Sequence, residues 1–262
     1  VRWLMFTNKT ALVTGGGSGI GAAVARGLAG RGAAAVVVAD VNAAAARAVA
    51  SALPAARAAT VDVADAAGVE EAIAQVVRDH GRLDVVVHAA GVDDPAAKQA
   101  IADALTAGEP PDITARLDDA SWRRVRSVNL DGTFHVLRAA LRAMLPARSG
   151  AIVVVGSSAS FDAPIGYAHY AAAKAGVHAL SQSVAKEAIA FGIRVNVVAP
   201  GPTDTGMAAR TPEALRHSMS GGRVRPYATP EEIADVALFL AGDGAANLVG
   251  AVLLANGGRF TA

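Results

Sequence analysis

Thr10-Ala-Leu-Val-Thr-Gly-Gly-Gly-Ser-Gly-Ile-Gly21 carries an apolar run straight into a glycine-rich turn, and an alanine-rich stretch follows. Residues 10–14 have the length and composition of a buried strand, and residues 20–31 those of a helix. Strand, glycine turn and helix N-terminus in that order make an anion site. Backbone N–H groups at the start of the helix point at a pyrophosphate, and the glycines let it approach. The expected ligand is a dinucleotide.

Working outward, residues 34–40 read as a second buried strand ending in Asp40, which lies 19 residues beyond Gly21. A carboxylate at that place can bind the adenosine ribose hydroxyls, and it repels a 2′-phosphate. NAD(H) is therefore expected over NADP(H). Helix (42–53), strand (58–63), helix (65–80) and strand (83–89) follow, and such alternation predicts a parallel sheet with helices on both faces. Asp62 is expected to end the third strand, and His88-Ala-Ala-Gly91 the fourth. Both then fall at the carboxyl edge, where doubly wound folds bind ligands.

Between residues 92 and 117 the pattern lapses into an inserted loop with a short helix at 96–106. A long helix at 119–145 carries Asn129 near its middle, a position where an Asn is solvated unless a polar pocket supplies a partner. Strand 150–156 ends in Ser157 and Ser158, a helix runs to residue 191, and strand 194–200 exits through Gly201-Pro-Thr-Asp-Thr205. Residues 203–226, rich in Gly, Arg and Met, are expected to be a substrate flap. A helix starting at Pro230 and a strand at 250–256 complete the pattern. No repeat or linker interrupts it, so one domain over 1–262 is expected.

Composition narrows the function classes. A net charge of +1 without basic blocks argues against a nucleic-acid surface. The absence of Cys removes disulfides, thiol catalysis and thiolate metal sites, and the six His show no ligand spacing, so no metal is expected. Residues 1–6 are apolar but too short for a signal segment, and no run approaches a membrane span. A cytoplasmic protein is the expectation.

Tyr170-Ala-Ala-Ala-Lys174 supplies the chemistry. Residues four apart share a helix face, which sets a phenol beside an ammonium. A neighbouring cation is expected to lower the pKa of Tyr170 toward neutrality and make it an acid/base.

Thr14-Gly15-x3-Gly19-x-Gly21, Gly91, Asn129, Ser157, Tyr170-x3-Lys174 and Pro200-Gly201, taken in order, resemble the short-chain dehydrogenase/reductase family over nearly the whole chain. The resemblance implies a Rossmann fold of seven parallel strands in the order 3-2-1-4-5-6-7, and a homotetramer built on the helices at 119–145 and 170–191. It makes Tyr170 the general acid/base, with Lys174 lowering its pKa and holding the nicotinamide ribose. Ser157 would polarise the substrate oxygen, with Ser158 as the fallback, and Asn129 would hold a water linking Lys174 to solvent. Implied cofactor contacts are Gly15, Ser18, Gly19, Ile20, Gly21, Asp40, Asp62, Val63, Ala89, Gly91, Tyr170, Lys174, Pro200, Gly201, Thr203 and Thr205. Ser18 and the lack of a basic residue after Asp40 again favour NAD over NADP, since NADP-using relatives often carry Arg at the Ser18 position.

His88 stands where the family has Asn, and either a packed or a pH-dependent role follows. Asn256 replaces the usual Asp. The expected reaction is hydride transfer between NAD(H) and a small-molecule secondary alcohol or ketone. Phe161, Ala163, Pro164, Ile165, Tyr167 and Met207 are expected to line a mostly apolar pocket. A 3-oxoacyl-thioester reductase is the alternative, with Arg210, Arg223 and Arg225 meeting an acidic carrier or a CoA phosphate. A non-catalytic nucleotide sensor or scaffold is the alternative of another class, against which the filled catalytic positions speak.

Overall fold

In the computed structural model, which describes residues 5–218 and 227–262, seven strands form one sheet. They are β1 (Thr10–Thr14), β2 (Ala35–Asp40), β3 (Ala56–Thr60), β4 (Val85–His88), β5 (Gly150–Val155), β6 (Ile193–Pro200) and β7 (Val252–Ala255). The order is β3-β2-β1-β4-β5-β6-β7 and every pairing is parallel. The central strands are short runs of Val, Ile and Ala buried on both faces, as a helix-covered parallel sheet requires. From β1 the chain winds outward through β2 and β3, then crosses back to β4 and winds the other way. The crevice this reversal opens lies at the carboxyl ends of β1 and β4.

Helices α1 (Gly19–Gly30), α2 (Ala43–Ser51), α3 (Ala66–His80), α4 (Pro95–Ala107), α5 (Ile113–Arg116), α6 (Asp119–Arg126) and α7 (Gly132–Met144) connect the strands up to β5. After it come α8 (Ala159–Asp162), α9 (Ala168–Ala188), α10 (Gly206–Ala209), α11 (Glu213–Ser218) and α12 (Pro230–Ala241). On one face Val24 and Leu28 of α1 meet Leu238 of α12 over Val13, Val36 and Val38. On the other, Ile73, Val76, Leu137, Met144 and Val177 cover Leu12, Val86 and Ile152. Each fully buried Leu, Ile or Val there contributes about 1.5–3 kcal/mol.

Helix starts are set locally. Asn42 accepts from Ala45 N, Asp65 from Ala67 N, and Thr229 with Glu232 forms a capping box.

Three readings from the sequence are corrected. Strand β3 ends at Thr60, because Val61 N donates to Asp40 O and the chain then turns. Asp62 sits in that turn, its Oδ1 accepting from Ala64 N, two residues past the strand. Within the loop expected at 92–117, the short helix expected at 96–106 is found as α4, capped by Asp94 and stopped by Gly108 in the left-handed region, and α5 follows, so most of the segment is helix rather than loop. Residues 119–145 are not one regular α-helix. A π turn, Ser127–Asp131, separates α6 from α7, and Gly132 N donates five residues back to Ser127 O.

Candidate active site

The glycine loop lies against the turn that follows β4. Gly15 has φ +64°, and a Cβ there would stand 2.6 Å from Ala90 N. A Cβ on Gly21 would collide with the Gly15 carbonyl, so the loop closes only without side chains at these two places. Gly17 N donates to Asp40 Oδ2 at 3.0 Å, and Asn42 N to Oδ1 at 2.9 Å. The carboxylate is thereby held against the loop, where an adenosine ribose would sit. Ser18 is exposed and its side chain caps nothing, and Ile20 lies in the first turn of α1. The methyl of Thr205 reaches the place a Cβ on Gly19 would occupy, so the segment leaving β6 covers the loop.

The rest of the carboxyl edge is backbone-braced. Ala89 N donates to Thr14 O, Gly201 N to Ala255 O, and Ser158 N to Pro200 O. Thr203 Oγ1 donates to Gly201 O, and Val63 O accepts from His135 Nδ1. Asp62, Val63, Ala89, Gly91, Pro200, Gly201, Thr203 and Thr205 thus all lie on the edge that carries the glycine loop. A pyrophosphate and its riboses fit this cradle, which side chains at Gly15 or Gly21 would fill.

Helix α9 sets Tyr170, Lys174 and His178 on one face. Tyr170 faces Ser157, whose hydroxyl works to lower the phenol pKa, and Ser157 Oγ accepts from Ala159 N at 3.1 Å. Ser158 gives its backbone N–H to Pro200 O. Lys174 is buried, its Nζ donates to Val155 O at 2.8 Å, and burial lowers its pKa to about 8. The expected lowering of the Tyr170 pKa is not found. Burial pushes the phenol up, the Ser157 hydroxyl pulls it down, and the charge of Asp93 raises it again, for a net rise. Lys174 is directed at the Val155 carbonyl, and desolvation of the phenolate prevails.

Asn129 is fully buried in the π turn. Its Nδ2 donates to Val92 O and Val125 O, while Oδ1 accepts from Val92 N. A Cβ on Gly91 would stand 2.8 Å from Asn129 Oδ1 and 3.5 Å from Lys174 Nζ, so these groups converge beneath the turn after β4.

His88 is buried between two hydroxyls: Nδ1 lies 2.7 Å from Thr14 Oγ1, and Nε2 3.0 Å from Thr133 Oγ1. Thr133 already donates its proton to Asn129 O, so Nε2 must donate to Thr133 and Nδ1 accept from Thr14. Burial, helped by the charge of Lys174, lowers its pKa to about 3. The imidazole is therefore a neutral brace between β1, β4 and α7. On acidification the unfolded chain takes up this proton near pH 6.5, but the folded chain does so only near pH 3, so stability is lost as pH falls across that window. Denaturant unfolding at pH 6.5 and 4.5 should show His88→Asn losing about 2–3 kcal/mol less than the parent over this interval. Equal losses would refute the buried neutral imidazole.

Some site residues escaped the sequence reading. His178 lies under the Ser157 loop, its Nε2 3.4 Å from Ser157 N and from Ser160 Oγ, with the Phe161 ring 5.3 Å from its own. Burial and then Lys174 lower its pKa to about 4. The repeat of four from Tyr170 to Lys174 to His178 was the available signal. A second group surrounds Asp93. Lys98 Nζ reaches Asp93 Oδ2 at 2.7 Å and Thr211 Oγ1 at 3.0 Å, and Arg210 donates to Asp93 Oδ1 at 2.9 Å. Asp94 caps α4 and meets His169 Nε2 at 3.1 Å.

The expected apolar pocket divides. Tyr167 packs edge-on to Tyr170 with centroids 6.3 Å apart, and Met207 offers its carbonyl to Lys98. Ala163, Pro164 and Ile165 instead border a groove of about 510 Å³ against Thr114 and the alanine flank of α9. Asn256 bonds Phe260 O and Gly258 N. Arg223 and Arg225 lie outside the described residues. Among those described, no helix is long and apolar enough to cross a membrane.

Comparison with known proteins agrees with this geometry. A family described as short chain dehydrogenase matches residues 9–216. The cis-4-hydroxycyclohexanecarboxylate dehydrogenase of Sinomonas cyclohexanicum is 41% identical over 97% of this chain and 97% of its own. The 3-oxoacyl-[acyl-carrier-protein] reductase FabG of Chlamydia trachomatis is 34% identical over 97% and 98%. A crystal structure described as ribose-5-phosphate isomerase from Brucella melitensis 16M superposes with a TM-score of 0.84 at 32% identity, covering 98% of this chain and 93% of that one.

Proposed function

The chain belongs to the short-chain dehydrogenase family, and from that premise we propose an NAD(H)-dependent oxidoreductase that interconverts an alicyclic secondary alcohol and its ketone. The carrying observation is that Tyr170, Ser157 and the buried Lys174 on Val155 O meet at the carboxyl edge that also holds Asp40 against the glycine loop. When bound, the nicotinamide supplies or accepts the hydride. The loop N–H groups hold the pyrophosphate, Asp40 the adenosine ribose hydroxyls and Lys174 the nicotinamide ribose.

In reduction, Ser157 donates a hydrogen bond to the substrate carbonyl oxygen and Tyr170 gives that oxygen its proton. The raised pKa of Tyr170 keeps the phenol protonated at neutral pH, as an acid requires. Lys174 lies one helical turn beyond the phenolate left behind, its ammonium held on Val155 O. Asn129 holds the turn beneath that ammonium through Val92.

An alicyclic substrate is favoured over an acyl thioester by the closer likeness to the cyclohexanecarboxylate enzyme, 41% against 34%. A homotetramer is supported by the exposure of Trp122 on α6 and Phe134 on α7, the helices expected to join subunits.

The test is a spectrophotometric panel with 4-oxocyclohexanecarboxylate, other ketones and 3-oxoacyl thioesters, each with NADH and NADPH. NADH should be preferred by at least about tenfold in kcat/KM, the factor worth about 1.4 kcal/mol, and Asp40→Ala should narrow the preference. A preference for NADPH in the parent protein would sink the role given to Asp40.

A further inference from the structure

We infer that Arg210 is a specificity-determining residue that anchors a carboxylate on the substrate, an inference that rests on the alicyclic alcohol reading above. The buried charges beside the catalytic face sort into pairs. Asp93, buried in the connection between β4 and α4, takes Lys98. Asp94, equally buried, lies 3.7 Å from Arg124. Arg210 is the surplus cation, sharing an Asp93 carboxylate that Lys98 already neutralises.

The two cations on Asp93 differ in what they can still do. Lys98 is fully buried, and its three donors go to Asp93 Oδ2, Thr211 Oγ1 and the Met207 carbonyl, so none remains for a ligand. Its work is to hold α10 and the residues after it against the β4–α4 connection. Arg210 is 53% exposed and gives one nitrogen to Asp93 Oδ1. Its planar guanidinium keeps further N–H groups in the fork that matches a carboxylate. Asp93 thus orients the fork, as a carboxylate behind an arginine does, and among the described residues Asp93, Lys98 and Arg210 together carry one net positive charge.

Asp93 also locates this charge relative to the chemistry. It lies two residues past Gly91, under which Asn129 and Lys174 converge, and its field reaches Tyr167 and Tyr170, raising both phenols. The Tyr167 ring packs against the cluster of Ala97, Ile101 and Ile113 and stands edge-on to Tyr170. A ring substrate with its oxygen at Tyr170 and Ser157 would then carry its far carboxylate toward Arg210.

Calorimetric titration reads this anchor without turnover. The ligands are 4-oxocyclohexanecarboxylate and its methyl ester, each titrated into protein saturated with NAD+, the oxidised cofactor that cannot reduce a ketone. The parent should bind the carboxylate at least about tenfold more tightly than the ester. Arg210→Met should erase that ratio, and Arg210→Lys should keep part of it. A parent that shows no preference for the carboxylate, including one that binds neither ligand, overturns the inference. So does a preference that survives in Arg210→Met, whatever happens to the two affinities together. Turnover measured in parallel separates the two readings: an intact preference without NADH oxidation sinks the dehydrogenase reading and leaves the anchor standing.

Discussion

Tyr170→Phe should lower kcat for NADH-linked ketone reduction by about 10²–10⁴-fold, the usual worth of a positioned proton donor, with NADH affinity little changed. The substitution removes one oxygen and keeps the ring. Tyr170 is half-buried and packs edge-on to Tyr167, contacts that Phe retains. What disappears is the hydroxyl that faces Ser157 and would reach the substrate oxygen. Lys174 keeps its bond to Val155 O, so the floor of the nicotinamide site is undisturbed. Because the phenol pKa is raised in the free protein, a reduction assay at neutral pH starts with the proton in place. Stopped-flow reduction kinetics and an NADH fluorescence titration on the same sample separate the two effects. Turnover at the parent rate would remove Tyr170 from the chemistry.

The sheet and the glycine loop were legible because their signals are local. Apolar strand, glycine turn and helix follow one another within residues 10–31, and Asp40 ends the next strand, so short-range geometry alone brings the carboxylate to Gly17. Tyr170 and Lys174 were legible for the same reason, through the helix repeat. Electrostatic detail was not. The sign of the Tyr170 shift depends on how much water the phenol loses and on where the Lys174 ammonium points, and both are set by β5, a distant segment. Asn129 looked like a solvated mid-helix residue because a π turn leaves no mark in a polar–apolar pattern, yet that turn carries the amide to Val92. Arg210 meets Asp93 across 117 positions of chain, a pairing that needs the fold itself.

Gly21→Ala should weaken NADH binding by about 10²–10⁴-fold, and the reason lies in one carbonyl. The added Cβ would overlap Gly15 O and crowd Gly16 Cα at 3.1 Å. These are backbone atoms in a loop pinned by Gly16 N to Ala39 O and Gly17 N to Asp40, so no side chain can yield. The loop must open, and N–H groups aimed at the pyrophosphate turn away. Hydrogen bonds to a charged group contribute about 1.5–3 kcal/mol each, so losing two gives the stated factor. Overpacking of this kind also costs about 1–3 kcal/mol of stability, so weaker binding alone does not separate a lost cradle from a damaged fold. Gly81→Ala supplies the control. Gly81 ends α3 at φ +73° with no atom within 4 Å of an added Cβ. Backbone strain there costs about 1–2 kcal/mol and reaches no part of the cradle. Denaturant unfolding should find the two variants comparably destabilised, and fluorescence titration should find only Gly21→Ala deficient in NADH. Equal affinity in both variants would mean that the pyrophosphate does not sit on this loop.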